Sequence, residues 1–338
     1  MELTFKDVGQ GDSILLKWTD NDGLKIGIID CNNYAGNNPI LDELKSIDQS
    51  FIIEFIVVSH GHTDHYSGIF VLLEYCNSQN ILIKNFTSTL HPVQFPYLEI
   101  TLSRNQQLQI VELINLVNHL YENTKIIGSV YPAYDNMTQF KIGSYLLKCL
   151  YPRQLEYNKL EKRLSNFLNK KVKKKPNLNY ISTIFAIIGN EQYALLTSDC
   201  PKHSLQFINS TYKELESKEL QLAQVPHHGS KNNHNKQFWK GRKRMDECPA
   251  LVSSGTSKHC LPDLIVVSDF AELNYKLYST NYVHGIREYV EGTTVEIDQT
   301  YILDLVSVIV DSYSIKQNDR LRGDKCFKLE SSKIVYTP

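Results

Sequence analysis

The chain has 338 residues, 42% of them hydrophobic and 22% charged, with a formal net charge of −1 and a pI near 6.8. That is ordinary globular composition, long enough to bury a core without disulfides, and it excludes a strongly basic nucleic-acid binder: any basic surface must be local. Seven cysteines, an odd and scattered set with no CxxC pair, exclude a disulfide framework and a zinc knuckle and fit a reducing cytoplasm.

The opening residues MELTFKDVGQGD carry Glu2, Asp7 and Asp12 and no apolar signal segment. ELTFKDV, SILLKW and KIGIID predict a meander of three strands, and FIIEFIVVS (51–59) a buried strand after it. SGIFVLLEYC (67–76) has helical spacing, and NILIKNFTS (80–88) reads as a strand. The clearest amphipathic helix covers 103–124, with Ser103 as its N-cap. A second group of strands follows in SYLLKCLYP, STIFAIIG and QYALLTSD, then a helix over 201–218, a strand LQLAQVP running into HHGS, and a strand PALVSSG. Two groups of strands with interleaved helices predict sheet packed on sheet with helices outside. From about residue 276 the pattern changes to β-leaning segments, expected as a C-terminal extension or subdomain over 276–338 beside a main domain of 1–275. Its apolar run 301–310, like that at 51–58, is too short to span a bilayer, so no membrane association is expected.

The stretch VVSHGHTDHYSG (57–68) carries the chemistry. A lone histidine is usually a surface or satisfied core residue, and most of the 11 here are expected to be. Three histidines and an aspartate within six positions would arise by chance in about one chain in a thousand. They follow a strand, so His60 and His62 can project the same way into a cleft, while Asp64 and His65 sit on the turn opening the next helix. Neutral imidazole suits zinc, iron, manganese or nickel, and the carboxylate adds a hard ligand that can also accept a proton. Structural zinc sites favour closed, Cys-rich shells, so a His/Asp-rich set points to catalysis with an open position.

HGHTDH resembles the signature of the metallo-β-lactamase superfamily, whose fold is an αββα sandwich holding one or two metals at one sheet edge. FKDVGQGDSILL (5–16), GIIDCN (27–32), YALLTSDC (193–200) and VPHHGS (225–230) resemble, in order, the blocks of the ComEC-type hydrolase domain over roughly residues 1–270. The resemblance implies His60 and His62 on a first metal and Asp64 and His65 on a second. It further implies Asp199 bridging both, His228 completing the second site, and Asp30 supporting the metal loop from beneath. One or two divalent ions, zinc or manganese, are the implied cofactors. The residues around Gln10 are expected to pack under the site, and His227 to be a packing neighbour of His228. His259 is placed near the last sandwich strand, where it could neutralise a leaving oxygen, so it joins Asp64 as a candidate catalytic group. His203, His234 and His284 are read as surface residues.

One departure stands out. Many relatives carry another histidine on a strand before the bridging aspartate, where this chain has Tyr151; His91 and His119 are the other candidates. The first metal is therefore left three-coordinate in protein ligands, weakly occupied or absent.

Two local basic stretches remain. NKKVKKKPN (169–177) closes a basic insert at about 155–178, and SKNNHNKQFWKGRKR (230–244) lies just past His228. Each is by default a solvated loop; near a hydrolytic centre they suit a polyanion, with Lys171, Lys173, Lys174 and Lys231 as candidate contacts. The leading expectation is a metal-dependent nuclease or phosphodiesterase acting on DNA or RNA. The competing readings are a hydrolase of a small ester, lactone or phosphodiester, and a binding or regulatory module with a degenerate site. A partner that presents DNA, such as an ATPase or sensor, is a further expectation from the absence of a channel in this chain.

Overall fold

The computed structural model describes residues 1–89, 103–173, 176–298, 320–330 and 334–337. His91, Lys174 and the 301–310 run lie outside them. The predicted meander forms as β1 (Glu2–Phe5), β2 (Ile14–Asp20) and β3 (Gly23–Ile29), paired antiparallel. From there the chain switches to parallel crossovers: β4 (Phe51–Val58), β5 (Ile83–Ser88) and β6 (Ile127–Pro132) follow one another beside β3. The intervening helices are α1 (Pro39–Lys45), α2 (Thr63–Tyr66), α3 (Ile69–Ser78) and α4 (Arg104–Glu122). Ser103 caps α4 as predicted, and Gln106 answers it in a capping box.

A second sheet repeats the plan. β7 (Phe140–Ile142), β8 (Tyr145–Tyr151), β9 (Ile184–Ile188) and β10 (Gln192–Leu196) pair antiparallel. β11 (Glu219–Gln224), β12 (Pro249–Val252) and β13 (Lys276–Ser279) then add in parallel. Its helices are α5 (Gln154–Leu168), α6 (Lys202–Thr211), α7 (Glu214–Ser217), α8 (Lys236–Lys240), α9 (Leu264–Glu272) and α10 (His284–Asp298). The single helix expected over 201–218 is two, because Tyr212 leaves the helical region at ψ 68°.

Strand order is β15-β14-β1-β2-β3-β4-β5-β6 in one sheet and β13-β12-β11-β10-β9-β8-β7 in the other. Here β14 is Lys325–Leu329 and β15 Ile334–Thr337. The C-terminal segment 276–338 is thus no separate subdomain in its described parts: β13 extends one sheet, and β14 and β15 the other. Its β-leaning composition was legible, but edge pairing with β1 joins residues more than 300 positions apart, which local pattern cannot reveal.

Three apolar cores follow from alternation along these strands. Phe55, Val57, Ile29, Phe185, Leu196 and Leu222 fill the space between the sheets. Ile56, Val58 and Ile28 point outward from the first sheet into α1, α3 and α4. Ala186, Leu195 and Ala223 do the same from the second sheet into α6, α8 and α9. Helix, sheet, sheet, helix is the αββα sandwich. Its inner layer admits little change: a Cβ on Gly27 would lie 2.3 Å from the Phe55 ring, which itself stacks on Phe140 at 4.5 Å.

Parallel strands all point the same way, so their carboxyl ends open one crevice, the usual place for a site in such sheets. The loops after β3, β4, β10, β11 and β12 converge there.

Candidate metal centre

Three of the predicted ligands, His60, His65 and His228, are oriented by what holds the far side of the ring. After β3 the backbone turns left-handed at Asp30 (φ 59°), which aims a fully buried carboxylate under the loop after β4. It accepts from the Ser59 N–H (2.7 Å), the Ser59 hydroxyl (2.6 Å) and His65 Nδ1 (2.7 Å). Because a carboxylate can only accept, His65 carries its proton on Nδ1 and turns Nε2 to the crevice. Ser59, its own proton given to Asp30, accepts from His60 Nδ1 at 3.1 Å, which likewise frees His60 Nε2. His228 Nδ1 donates to the Ser253 carbonyl at 3.0 Å, with the same outcome.

These ring nitrogens surround Asp199. His65 Nε2 lies 3.6 Å and His228 Nε2 3.3 Å from its Oδ1, and Asp64 Oδ2 is 3.7 Å from His228 Nε2. His60 Nε2 lies 3.5 Å from the other oxygen, Oδ2, and 3.1 Å from His62 Nδ1. His65 Nε2, His228 Nε2 and Asp199 Oδ1 are buried without a hydrogen-bond partner. Three orphaned lone-pair donors facing one point would each cost about 1–3 kcal/mol if left so, and a cation between them satisfies all three. A tetrahedron of about 2.05 Å bonds has edges of about 3.3 Å, close to the spacings found. The donor set therefore fits a divalent metal: Asp64, His65 and His228 converge on one position, which Asp199 Oδ1 also faces, and His60 and Asp199 Oδ2 border a second, with His62 Nδ1 beside His60.

Strain gathers here. Asp30, Ser198, His227 and His228 are all non-glycine residues with positive φ, between 43° and 59°. Beneath the loop, Gly11 (φ 133°) lets the DVGQGDS turn press against it, since a Cβ there would lie 2.4 Å from the Asp64 carbonyl. Asp12 N–H donates to that carbonyl at 3.2 Å, and Asp12 Oδ2 accepts from Gln224 at 2.9 Å, linking the loop to the second sheet.

Sequence reasoning did not single out Asp12, Gln224, Ser59, Ser198, Asn179 or Asn233. Ser198 donates to Ser59 at 2.8 Å, and Asn179 Nδ2 reaches Asp199 Oδ2 at 3.3 Å. Short polar residues of this kind carry no spacing signal. Other expectations fall elsewhere. His259 is exposed, its backbone N–H donating to Ser257 Oγ at 3.2 Å, and no hydrogen bond or ion pair among the described residues joins its ring to the cluster. His119 is exposed near the end of α4, bonded to Asn123. Tyr151 is buried, its hydroxyl donating to the Tyr180 carbonyl at 2.7 Å. His234, read as a surface residue, is buried and paired with Asp269 at 3.0 Å.

The stretch 230–244 is not a free basic face. Lys231 pairs with Asp263 (3.7 Å) and Lys236 with Asp269 and Glu272 (2.6 Å each), while Arg242 and Arg244 lie over Phe238 and Tyr275. The acidic partners lie in α9 and at its N-cap, while Lys240 and Lys243 remain exposed. Lys171 and Lys173, past the end of α5, are exposed.

Burial lowers the His60 pKa well below the usual value, aided by the charge of His65, so His60 is neutral and ready to ligate. At His228 burial also works downward, but Asp199 and Asp64 outweigh it and raise the ring to about 9. His65 is likewise raised well above normal, by Asp199, Asp30 and Asp64 against burial. In the metal-free protein at neutral pH these two rings are protonated, and a metal must displace those protons. The second position should therefore load more tightly as pH rises from neutral towards about 9, the level to which His228 is raised, by about tenfold per unit for each proton displaced. The His60–His62 position should change far less over the same range. Titration calorimetry in two buffers of different ionisation enthalpy reads the protons released; none released at neutral pH would contradict these assignments.

Sandwich and ligand set together define a protein of the metallo-β-lactamase fold. No family model and no curated protein sequence matches the chain. Among solved structures it is similar to the metallo-β-lactamase fold protein YhfI from Bacillus subtilis (8% identity, 82% of this chain on 95% of that one, TM-score 0.42). It is also similar to Zn²⁺-bound PqqB from Methylobacterium extorquens (9%, 82% on 98%, TM-score 0.44) and to a diphosphatase from the PhnP family (11%, 82% on 85%, TM-score 0.35). At such identities the likeness concerns fold alone, and at such TM-scores it lends no weight to function. No helix among the described residues is long and apolar enough to cross a membrane.

Proposed function

We propose that the protein is a metal-dependent phosphodiester hydrolase acting on nucleic acid. The observation that carries the hydrolase reading is Asp199, whose two oxygens each face a separate set of imidazoles. Divalent metals held there supply Lewis acidity and a nucleophilic hydroxide near neutral pH. Asp64 is the one carboxylate of the cluster with substantial exposure, its side chain 33% accessible, so it can take a proton from the attacking group while still facing His228.

The substrate class rests on charge beside the site and on the resemblance to the ComEC-type domain. Exposed basic residues line α5 and its extension: Lys162, Arg163, Lys170, Lys171 and Lys173, with Lys159 paired to Glu156 at 3.5 Å. Arg163 stacks on Tyr180 at 4.2 Å, and Tyr180 adjoins Asn179, which touches Asp199. Positive charge thus stands one residue removed from the cluster at Arg163, which supports a polyanionic substrate.

The test is cleavage of plasmid and single-stranded DNA with Mn²⁺ or Zn²⁺ added to metal-free protein. Cutting that needs metal, falls with salt and is lost in His62→Ala is the expected result. Metal binding without cutting of DNA or RNA would overturn the substrate assignment.

A further inference from the structure

The first position has three obvious ligand atoms, His60 Nε2, His62 Nδ1 and Asp199 Oδ2, and the residue at Tyr151 is no fourth. Its hydroxyl is committed to the Tyr180 carbonyl and to His203, 2.7 and 3.2 Å away. The turn Pro226–Gly229 offers another donor. There His227 (φ 49°) and His228 (φ 53°) are consecutive left-handed residues, and both rings face the carboxylate of Asp199. Their Nε2 atoms divide the carboxylate of Asp199 between them. His228 lies 3.3 Å from Oδ1, and His227 lies 3.3 Å from Oδ2, the oxygen that faces His60.

The tautomer of His227 is fixed as firmly as those of the predicted ligands. Asn233 Nδ2 donates to the Asp199 and Cys200 carbonyls (3.3 and 2.8 Å), so its Oδ1 must face the ring. That oxygen sits 2.8 Å from His227 Nδ1 and can only accept. The proton is on Nδ1, and the Nε2 lone pair points at a carboxylate oxygen that is itself an acceptor. The His227 N–H donates to the Ser198 carbonyl at 2.9 Å, which anchors the turn to the loop bearing Asp199. Asn179 closes the other side, with Nδ2 3.4 Å from His227 Nε2 and its Oδ1 buried without a partner.

We propose that His227 is the fourth protein ligand of the first metal, taking the place of the histidine missing at Tyr151. This rests on the reading of the cluster as a metal centre, not on the substrate. His227 and His60 then share Asp199 Oδ2, at 3.3 and 3.5 Å, and His62 Nδ1 stands 3.1 Å from His60 Nε2. Asn233 is a positioning residue for it.

The experiment is metal counting by elemental analysis after equilibration with Zn²⁺, together with visible spectra on Co²⁺ loading. Wild type, His62→Ala, His227→Ala, His227→Asn and Asn233→Ala are compared. Two metals per wild-type chain and one in His62→Ala and His227→Ala are expected. His227→Asn, whose side chain tolerates positive φ, should match His227→Ala. The metal retained in the second position shows that each variant is folded. Asn233→Ala should weaken the first metal by about 10–100-fold while leaving the second unchanged. Two metals held by both His227 variants with wild-type affinity would overturn the assignment, as would a wild type that binds only one. If His227→Ala binds none, Asn233→Ala decides: an unchanged first-site affinity overturns the proposal, and a selective loss upholds it. A protein that binds two metals and cuts no nucleic acid refutes the substrate reading and leaves this one intact.

Discussion

Asp199→Ala should empty both metal positions at once and reduce hydrolysis by roughly 10³-fold or more. Its carboxylate is split between the two sides of the cluster: Oδ1 looks at His65 and His228, Oδ2 at His60 and His227. Substituting one imidazole removes one ligand of one metal, whereas losing this carboxylate takes a ligand from each and leaves like-charged rings crowded together. The variant also has a signature without metal. Asp199 is the largest of the influences raising His228, so the ring should titrate well below about 9 in the variant, readable by NMR. Retention of even one metal at wild-type affinity would show that the carboxylate is not shared.

Asp30→Ala should be the most destabilising single change near the site, by about 3–5 kcal/mol in metal-free protein. Asp30 is fully buried, and its two oxygens accept three hydrogen bonds, from Ser59 N–H, Ser59 Oγ and His65 Nδ1. Alanine strands all three donors, places an ordinary residue at φ 59°, and leaves the charged His65 ring without its nearest counter-ion. Urea unfolding in the presence of a chelator measures the loss. A cost below about 1 kcal/mol would mean that water or a neighbouring group replaces the carboxylate. With metal added, the same variant should bind the second ion about 10–100-fold more weakly, because nothing then fixes the His65 tautomer.

Much of this site could be read from sequence because its ligands are clustered or stand in strand-end motifs. His60, His62, Asp64 and His65 fall in one hexapeptide, and Asp199 and His228 each follow an apolar run of strand spacing. The strands themselves were legible from alternation, and α4 from its period and its serine cap. What stayed hidden depends on contacts between distant segments. Asn179 and Asn233 lie in polar stretches with no period, and their value is only that they reach Asp199 and His227. His227 looked like a bystander because adjacent residues normally diverge; two successive left-handed residues, which no sequence rule predicts at PHHG, bring both rings to one carboxylate. Lys231 and Lys236 looked free because their acidic partners are about 30 residues away, in α9 and at its N-cap.

The candidate ligands come from both sheets: 60–65 follow a strand of the first, while 199, 227 and 228 follow strands of the second. Even the metal-free contact at the centre, Ser198 on Ser59, joins residues 139 positions apart. A bound ion is therefore a rivet through the seam of the sandwich, closing a loop of chain far longer than a local site would. Each sheet keeps its own ladder when the ion leaves, but the registry of one sheet against the other loses a clamp at that edge.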